Sequence, residues 1–233
     1  MAFWRTRDDA FAVAGEFAGS AALLVVVVGS GIMGEALSQG NPAIALLANA
    51  LATAAGLYVL IGTLGPISGA HFNPVVSLMM WRRGALSFSR FSAYVPAQVL
   101  GAIAGVWIAH AMFDLPIVQT SEKIRSGFGQ WLSEVVATGG LLVTIALGLR
   151  AVPGLVAAYI GGAYWFTAST SFANPAVTIA RSMTNTFAGI RPVDTLGFIA
   201  AQCIAAAIMC LLLRAASPKG SPIVSALRTE ELR

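Results

Sequence analysis

Apolar stretches of about 20 residues, the length needed to cross a bilayer core, recur along the whole chain with short polar breaks between them. They fall at 11–33, 43–66, 91–112, 128–149, 154–170 and 194–214, and each predicts a membrane-spanning helix. Lipid offers backbone N–H and C=O groups no partner, so a spanning segment must close its hydrogen bonds internally. That requirement overrides the β-branched run Val25-Val26-Val27-Val28, which is read as helix. Arg5 and Arg7 ahead of the first apolar run imitate a secretory signal. That run is too long for one and further spans follow, so it is read as a retained span.

Two more apolar stretches are too short to cross: Val75 to Trp81 and Ala176 to Met183. Each follows an Asn-Pro dipeptide. Asn is a favoured N-cap and Pro a favoured first-turn residue, so each dipeptide predicts the start of a half-helix. The surroundings repeat as well. Residues 68–77, Ser-Gly-Ala-His-Phe-Asn-Pro-Val-Val-Ser, match residues 169–178, Ser-Thr-Ser-Phe-Ala-Asn-Pro-Ala-Val-Thr. Glu16 pairs with Glu134 in the opening span of each half, and Gln98 with Gln202 in the closing span.

The chain therefore reads as a duplicated three-span unit. Residues 1–113 form the first repeat with a half-helix at 73–83, and 127–215 form the second with a half-helix at 174–184. An external loop, 114–126, joins them, and 216–233 form a cytoplasmic tail. An odd number of spans per unit inverts one copy relative to the other, so the two half-helices meet at mid-depth. Their N-termini, each carrying about half a positive charge, then converge on one point that repels cations and offers donors to a lone pair. The fold class expected is an all-α membrane protein of six spanning helices and two re-entrant half-helices.

Composition agrees: 57% of the 233 residues are hydrophobic and 10% are charged, and the mean hydropathy is +0.78, far from the balance of a water-soluble domain. Of the fourteen basic residues, Lys123, Arg125, Arg181 and Arg191 fall on one side of the six-span arrangement and the remaining ten on the other. The positive-inside rule then puts both termini in the cytoplasm. The basic residues are scattered over short loops and tails, which speaks against nucleic-acid binding. Cys203 and Cys210 lie seven residues apart in the last span and read as small core residues, with no disulfide or metal framework.

The stretches Ser68-Gly69-Ala70-His71-Phe72-Asn73-Pro74-Val75 and Asn174-Pro175-Ala176 resemble the two signature loops of the aquaporin, or major intrinsic protein, family. The resemblance covers nearly the whole chain. It implies a passive, non-enzymatic channel without cofactor or metal, assembled as a homotetramer in the inner membrane with one pore per subunit. It also implies that the amides of Asn73 and Asn174 donate to the passing solute while Glu16 and Glu134 brace the re-entrant loops. Asn41-Pro42-Ala43 matches the family tripeptide too, yet it stands in a polar turn before a full-length span and is read as an ordinary helix start.

Counted from the two motifs, the four positions of the family's selectivity filter fall on Thr53, Gly162, Ser171 and Val177. Val177 stands where water-selective members carry Arg, so the resemblance implies a wider, less polar filter. Such a filter would admit glycerol, urea or neutral metalloid hydroxides such as arsenous acid, together with water. The stretch from Asn174 to Arg181 is similar to bacterial aquaporin-like channels associated with arsenic resistance. Arg181 follows Val177 by four residues and shares its face. It is read either as a screen at the outer mouth or as an anchor in the headgroup region.

Other polar residues carry paired readings. His71 either lines the cytoplasmic mouth, where its protonation would alter permeation, or is structural; His110 is assigned no role. Gln98 and Gln202 read as interhelical glue, and Gly15, Gly19, Gly101 and Gly105 as positions of close helix packing. A water-selective aquaporin remains an alternative. So does a secondary transporter, although no acidic residue stands near the half-helix starts to bind a coupling ion. An intramembrane hydrolase using Ser68 with His71 would require a geometry that the channel motif already claims.

Overall fold

The computed structural model of the protein describes residues 2–148 and 151–215, with side chains from Asp9 onward. The expected tail at 216–233 and the basic residues Arg150, Lys219, Arg228 and Arg233 lie outside the described residues, as do the side chains of Arg5 and Arg7. Eight α-helices follow in order: α1 (Ala2–Leu37), α2 (Pro42–Ser68), α3 (Pro74–Arg82), α4 (Phe88–Met112), α5 (Phe128–Leu147), α6 (Val152–Phe166), α7 (Pro175–Arg181) and α8 (Thr195–Ala215). A short 3-10 turn, Pro192–Asp194, precedes α8. The architecture is all-α, six spans with two short helices between them.

Five of the spans are long and apolar enough to cross a membrane by length and composition. The sixth, α6, has 15 residues, about 22 Å of helix, and ends at Phe166 instead of reaching 170. Its last turn is closed by Thr167, whose hydroxyl donates to the Ala163 carbonyl at 2.6 Å. The half-helices also stop earlier than the sequence suggested: α3 at Arg82 and α7 at Arg181, the latter only 7 residues long. Asn41 caps α2 by accepting from the N–H groups of Ala43 and Ile44.

Within each half the opening span packs on the closing one, α1 on α4 and α5 on α8, and α2 joins α6 across the halves. The α1–α4 approach depends on two glycines. A Cβ on Gly101 would stand 2.2 Å from the Phe17 carbonyl oxygen, and one on Gly105 would stand 2.1 Å from that of Ala21. No side chain fits at those distances, so small residues permit the crossing. Both cysteines are free thiols, and Cys203 departs from expectation: it is exposed, while Cys210, two turns on, is half-buried against the edge of the core.

Candidate functional site

The two Asn-Pro segments meet inside the bundle. Asn73 caps α3 by accepting from the Val75 N–H at 3.1 Å, and Asn174 caps α7 by accepting from Ala176 at 2.9 Å and Val177 at 3.3 Å. Each amide nitrogen also reaches the other loop. Asn73 Nδ2 donates to the Ala173 carbonyl at 2.7 Å, and Asn174 Nδ2 donates to that of Phe72 at 2.8 Å. An amide nitrogen carries two hydrogens, so one N–H of each Asn is left without a protein partner, and both residues line a cavity. Pro74 and Pro175 occupy the first turns, where a missing N–H costs nothing.

The loops leading to these caps hold their backbone in the left-handed region at matching places. The φ angles are +50° at both Ala70 and Ser171, +48° at Phe72 and +49° at Ala173. For residues with a Cβ, such conformations cost about 1–3 kcal/mol each and persist only where surrounding contacts over-determine them. Those contacts converge on two buried carboxylates. Glu16 accepts from the Ser68 hydroxyl at 2.6 Å, the backbone N–H groups of His71 at 2.9 Å and Phe72 at 2.6 Å, and Gln98 at 2.7 Å. Glu134 accepts from Phe172 at 2.9 Å, Ala173 at 2.8 Å and Gln202 at 2.6 Å. Gln98 and Gln202 also donate to Ser77 and Thr178, each at 2.9 Å, on the first turns of α3 and α7.

A cavity of about 490 Å³ runs past this junction, within the range of about 300–1,000 Å³ common for small-molecule sites. Thr53, His71, Asn73, Ser171, Asn174, Val177 and Arg181 all line it. Val75 and Ala176 are buried behind the wall. Gly162 does not line the cavity. The face of α6 turned inward is Val156, Ile160 and Tyr164, at a spacing of four; a residue two positions from Ile160 points about 200° away around the helix. Tyr164 does line it, and its hydroxyl donates to Thr53 Oγ1 at 3.3 Å.

Arg181 is only 2% exposed, which excludes a headgroup anchor. Its guanidinium lies 3.4 Å from the Phe172 ring centroid, a cation–π contact, and Nε donates to the Ala188 carbonyl. Arg125, from the connecting loop, lies over the same ring at 5.1 Å. It donates from Nε to the Gly189 carbonyl at 2.8 Å and from Nη1 to that of Ser169 at 3.3 Å. Burial pushes the Arg125 pKa down to about 10, still well above neutrality. Lys123 donates to the Phe187 carbonyl at 2.8 Å; burial, then the charges of Arg125 and Arg181, push its pKa down to about 8.

The sequence reading missed Tyr164 and Arg125, and it left His110 without a role. His110 is buried and pairs with the Ile117 carbonyl and the Thr184 hydroxyl, each at 2.8 Å, fastening the end of α4 to the segment after α7. A usable signal existed only for Tyr164: its spacing of four from Ile160 and Val156 places it on the inner face of α6.

Comparison with known proteins agrees with this architecture. The family description "Major intrinsic protein" matches residues 4–162. The chain is similar to aquaglyceroporin AqpS of Rhizobium meliloti (strain 1021), 54% identical over 90% of this chain and 91% of that one. It is also similar to aquaporin-2 of Rattus norvegicus, 36% identical over 62% of this chain and 49% of the relative. Among solved structures, the aquaglyceroporin from Plasmodium falciparum shares the fold, with a TM-score of 0.67 at 19% identity over 87% of this chain and 94% of the other. A multi-pass bundle with two capped half-helices meeting on a cavity, together with these matches, makes the chain a channel-type member of the major intrinsic protein family, in its bacterial aquaglyceroporin-like branch.

Proposed function

We propose that the protein is a passive channel for small uncharged solutes larger than water, such as glycerol, urea and neutral metalloid hydroxides including arsenous acid, with water passing as well. The observation that carries this reading is Val177, an aliphatic side chain on the cavity wall one turn into α7. A guanidinium there would cross the lumen; an isopropyl group leaves it open. Thr53, Ser171 and Tyr164 supply hydroxyls on the same cavity, and the free N–H groups of Asn73 and Asn174 supply donors to a solute oxygen. The similarity to an aquaglyceroporin of Rhizobium meliloti supports glycerol and water among these solutes.

In this reading Glu16 and Glu134 brace the re-entrant loops, and Arg181 screens the outer mouth against cations, a barrier added to the half-helix N-termini. His71 lines the cytoplasmic side of the lumen. The channel works as a homotetramer in the inner membrane with both termini in the cytoplasm, the repeats running 1–113 and 127–215.

Stopped-flow light scattering on proteoliposomes tests the reading with wild type and Val177→Arg. Wild-type vesicles should reswell in glycerol and in arsenous acid well above protein-free vesicles, and Val177→Arg should cut both rates about tenfold or more while water falls less. Water permeation with no larger solute admitted would make the pore water-selective and overturn the proposal.

A further inference from the structure

We propose that Tyr164, bonded to Thr53, is a specificity-determining residue that sets the aperture and the hydroxyl preference of the outer half of the pore. The wall that α2 and α6 give the cavity is apolar along its middle, with Leu57 and Ile61 on one helix and Val156 and Ile160 on the other. Continuing each series by one four-residue step toward the outer end reaches Thr53 and Tyr164. The polar groups of this wall are thus gathered at one level, contributed by one helix from each half of the chain.

Tyr164 is 3% exposed, and a phenol hydroxyl in such surroundings is costly unless it is bonded. Its partner is the Thr53 hydroxyl at 3.3 Å. Threonines in helices commonly donate back to their own turn, as Thr63 does to the Val59 carbonyl and Thr144 to that of Gly140. Thr53 makes no such bond among the described residues; Tyr164 is the group that holds it. A hydroxyl accepting from a phenol keeps its own proton to give, so the pair presents one donor to the lumen. Ser171 adds a second independent sign of a solute site. Its Oγ is buried, on the same cavity, and has no hydrogen-bond partner.

A solute passing this level is asked for two things. It must offer hydroxyl-like groups to Thr53 and Ser171, and it must fit beside the closed Tyr164–Thr53 pair or open it. Small hydroxylated molecules satisfy both conditions. Longer polyols satisfy the first and must break the bond for the second.

This inference rests on the channel reading above, and one experiment separates the two. Water, ethylene glycol, glycerol and erythritol entry would be measured in proteoliposomes bearing wild type, Tyr164→Phe, Thr53→Val, Thr53→Ser and the Tyr164→Phe/Thr53→Val double variant. Tyr164→Phe and Thr53→Val should each raise erythritol entry relative to water by about fivefold, the factor that corresponds to one neutral hydrogen bond. The double variant should gain no more than either single one, and Thr53→Ser, which keeps the accepting hydroxyl, should gain less than Thr53→Val. A wild type that passes water alone, with polyol entry appearing in Tyr164→Phe, would support this inference while overturning the glycerol reading. An unchanged erythritol-to-water ratio in both single variants, or gains that multiply in the double, would overturn the inference and leave the channel reading standing. Wild-type vesicles no faster than protein-free ones for every solute would overturn both.

Discussion

The two re-entrant loops, whose residues correspond at positions such as 73 and 174, are alike behind the pore and unlike in front of it. Behind it, a carboxylate, a glutamine and a hydroxyl recur as Glu16, Gln98 and Ser77 in one half and Glu134, Gln202 and Thr178 in the other, with bonds of 2.6–2.9 Å. Three left-handed backbone positions recur, two of them within a degree, with Gly69 at +88° standing against Thr170 at +59°. In front of it, His71 faces Phe172, Ala70 faces Ser171 and Met80 faces Arg181 in the register of the repeat. All six line the cavity. Duplication has kept what holds an energetically costly loop shape, and the halves have diverged where a solute is touched.

The largest effect should come from removing a carboxylate. Glu134→Ala leaves two buried backbone donors unmet, a loss of about 2–6 kcal/mol. Glu16→Ala should cost at least as much, because Ser68 loses its acceptor too. Thermal unfolding in detergent would check this, and a Glu16→Ala protein melting like wild type would show the braces to be unequal. A smaller effect is expected from Arg181→Met, which copies Met80 into the outer half. A unit charge about 8 Å from a passing cation, at an effective dielectric of about 20, is worth about 2 kcal/mol. Proton or cation leak, followed with a dye inside vesicles, should therefore rise more than tenfold while glycerol entry changes little. An unaltered leak would leave the half-helix ends as the whole barrier.

The smallest effect concerns Lys123. Its pKa in the fold is near 8, below the value of about 10.4 in an unfolded chain. Between those pH values the unfolded state binds the proton that the folded state has released, so stability rises with pH across that window. The melting temperature of wild type should climb from pH 8 to pH 10 relative to that of Lys123→Met. Parallel curves would show that the lysine is not strained by its neighbours.

The Asn-Pro motifs, the spans and the paired Glu and Gln were legible because each rests on a signal that survives in one dimension: bilayer length, helix-start chemistry and duplication. Asn41-Pro42 could be set aside for the same reason, since a full span follows it. Gly162 lies off the cavity lining because counting back from Asn174 carries no information on the phase of α6, whose four-residue spacing from Val156 and Ile160 leads to Tyr164. Arg181 was ambiguous because position on a half-helix does not tell whether its end is buried. Arg125 and His110 act through carbonyls and a hydroxyl brought close only by the fold, and no spacing announces them. Cys203 looked internal because a spanning helix that is apolar all round does not reveal which face meets lipid.

The segment joining the two halves has a different standing from an ordinary connection. Ser121 N–H donates to the Ser182 carbonyl at 2.9 Å, Arg191 N–H donates to that of Lys123 at 2.7 Å, and Asn185 exchanges bonds with Glu122 and Gln119. Surface connections usually accept insertions and new chain ends, and a protein engineer splitting this duplicated chain would cut here first. Such a cut would release the bonds that tie this segment to the stretch after α7, so the seam between the halves is a structural joint and not a spare connection. A fluorescent reporter or a new pair of termini belongs instead at the exposed turn of Gln39 and Gly40, where the α1–α2 corner meets water without edging the pore.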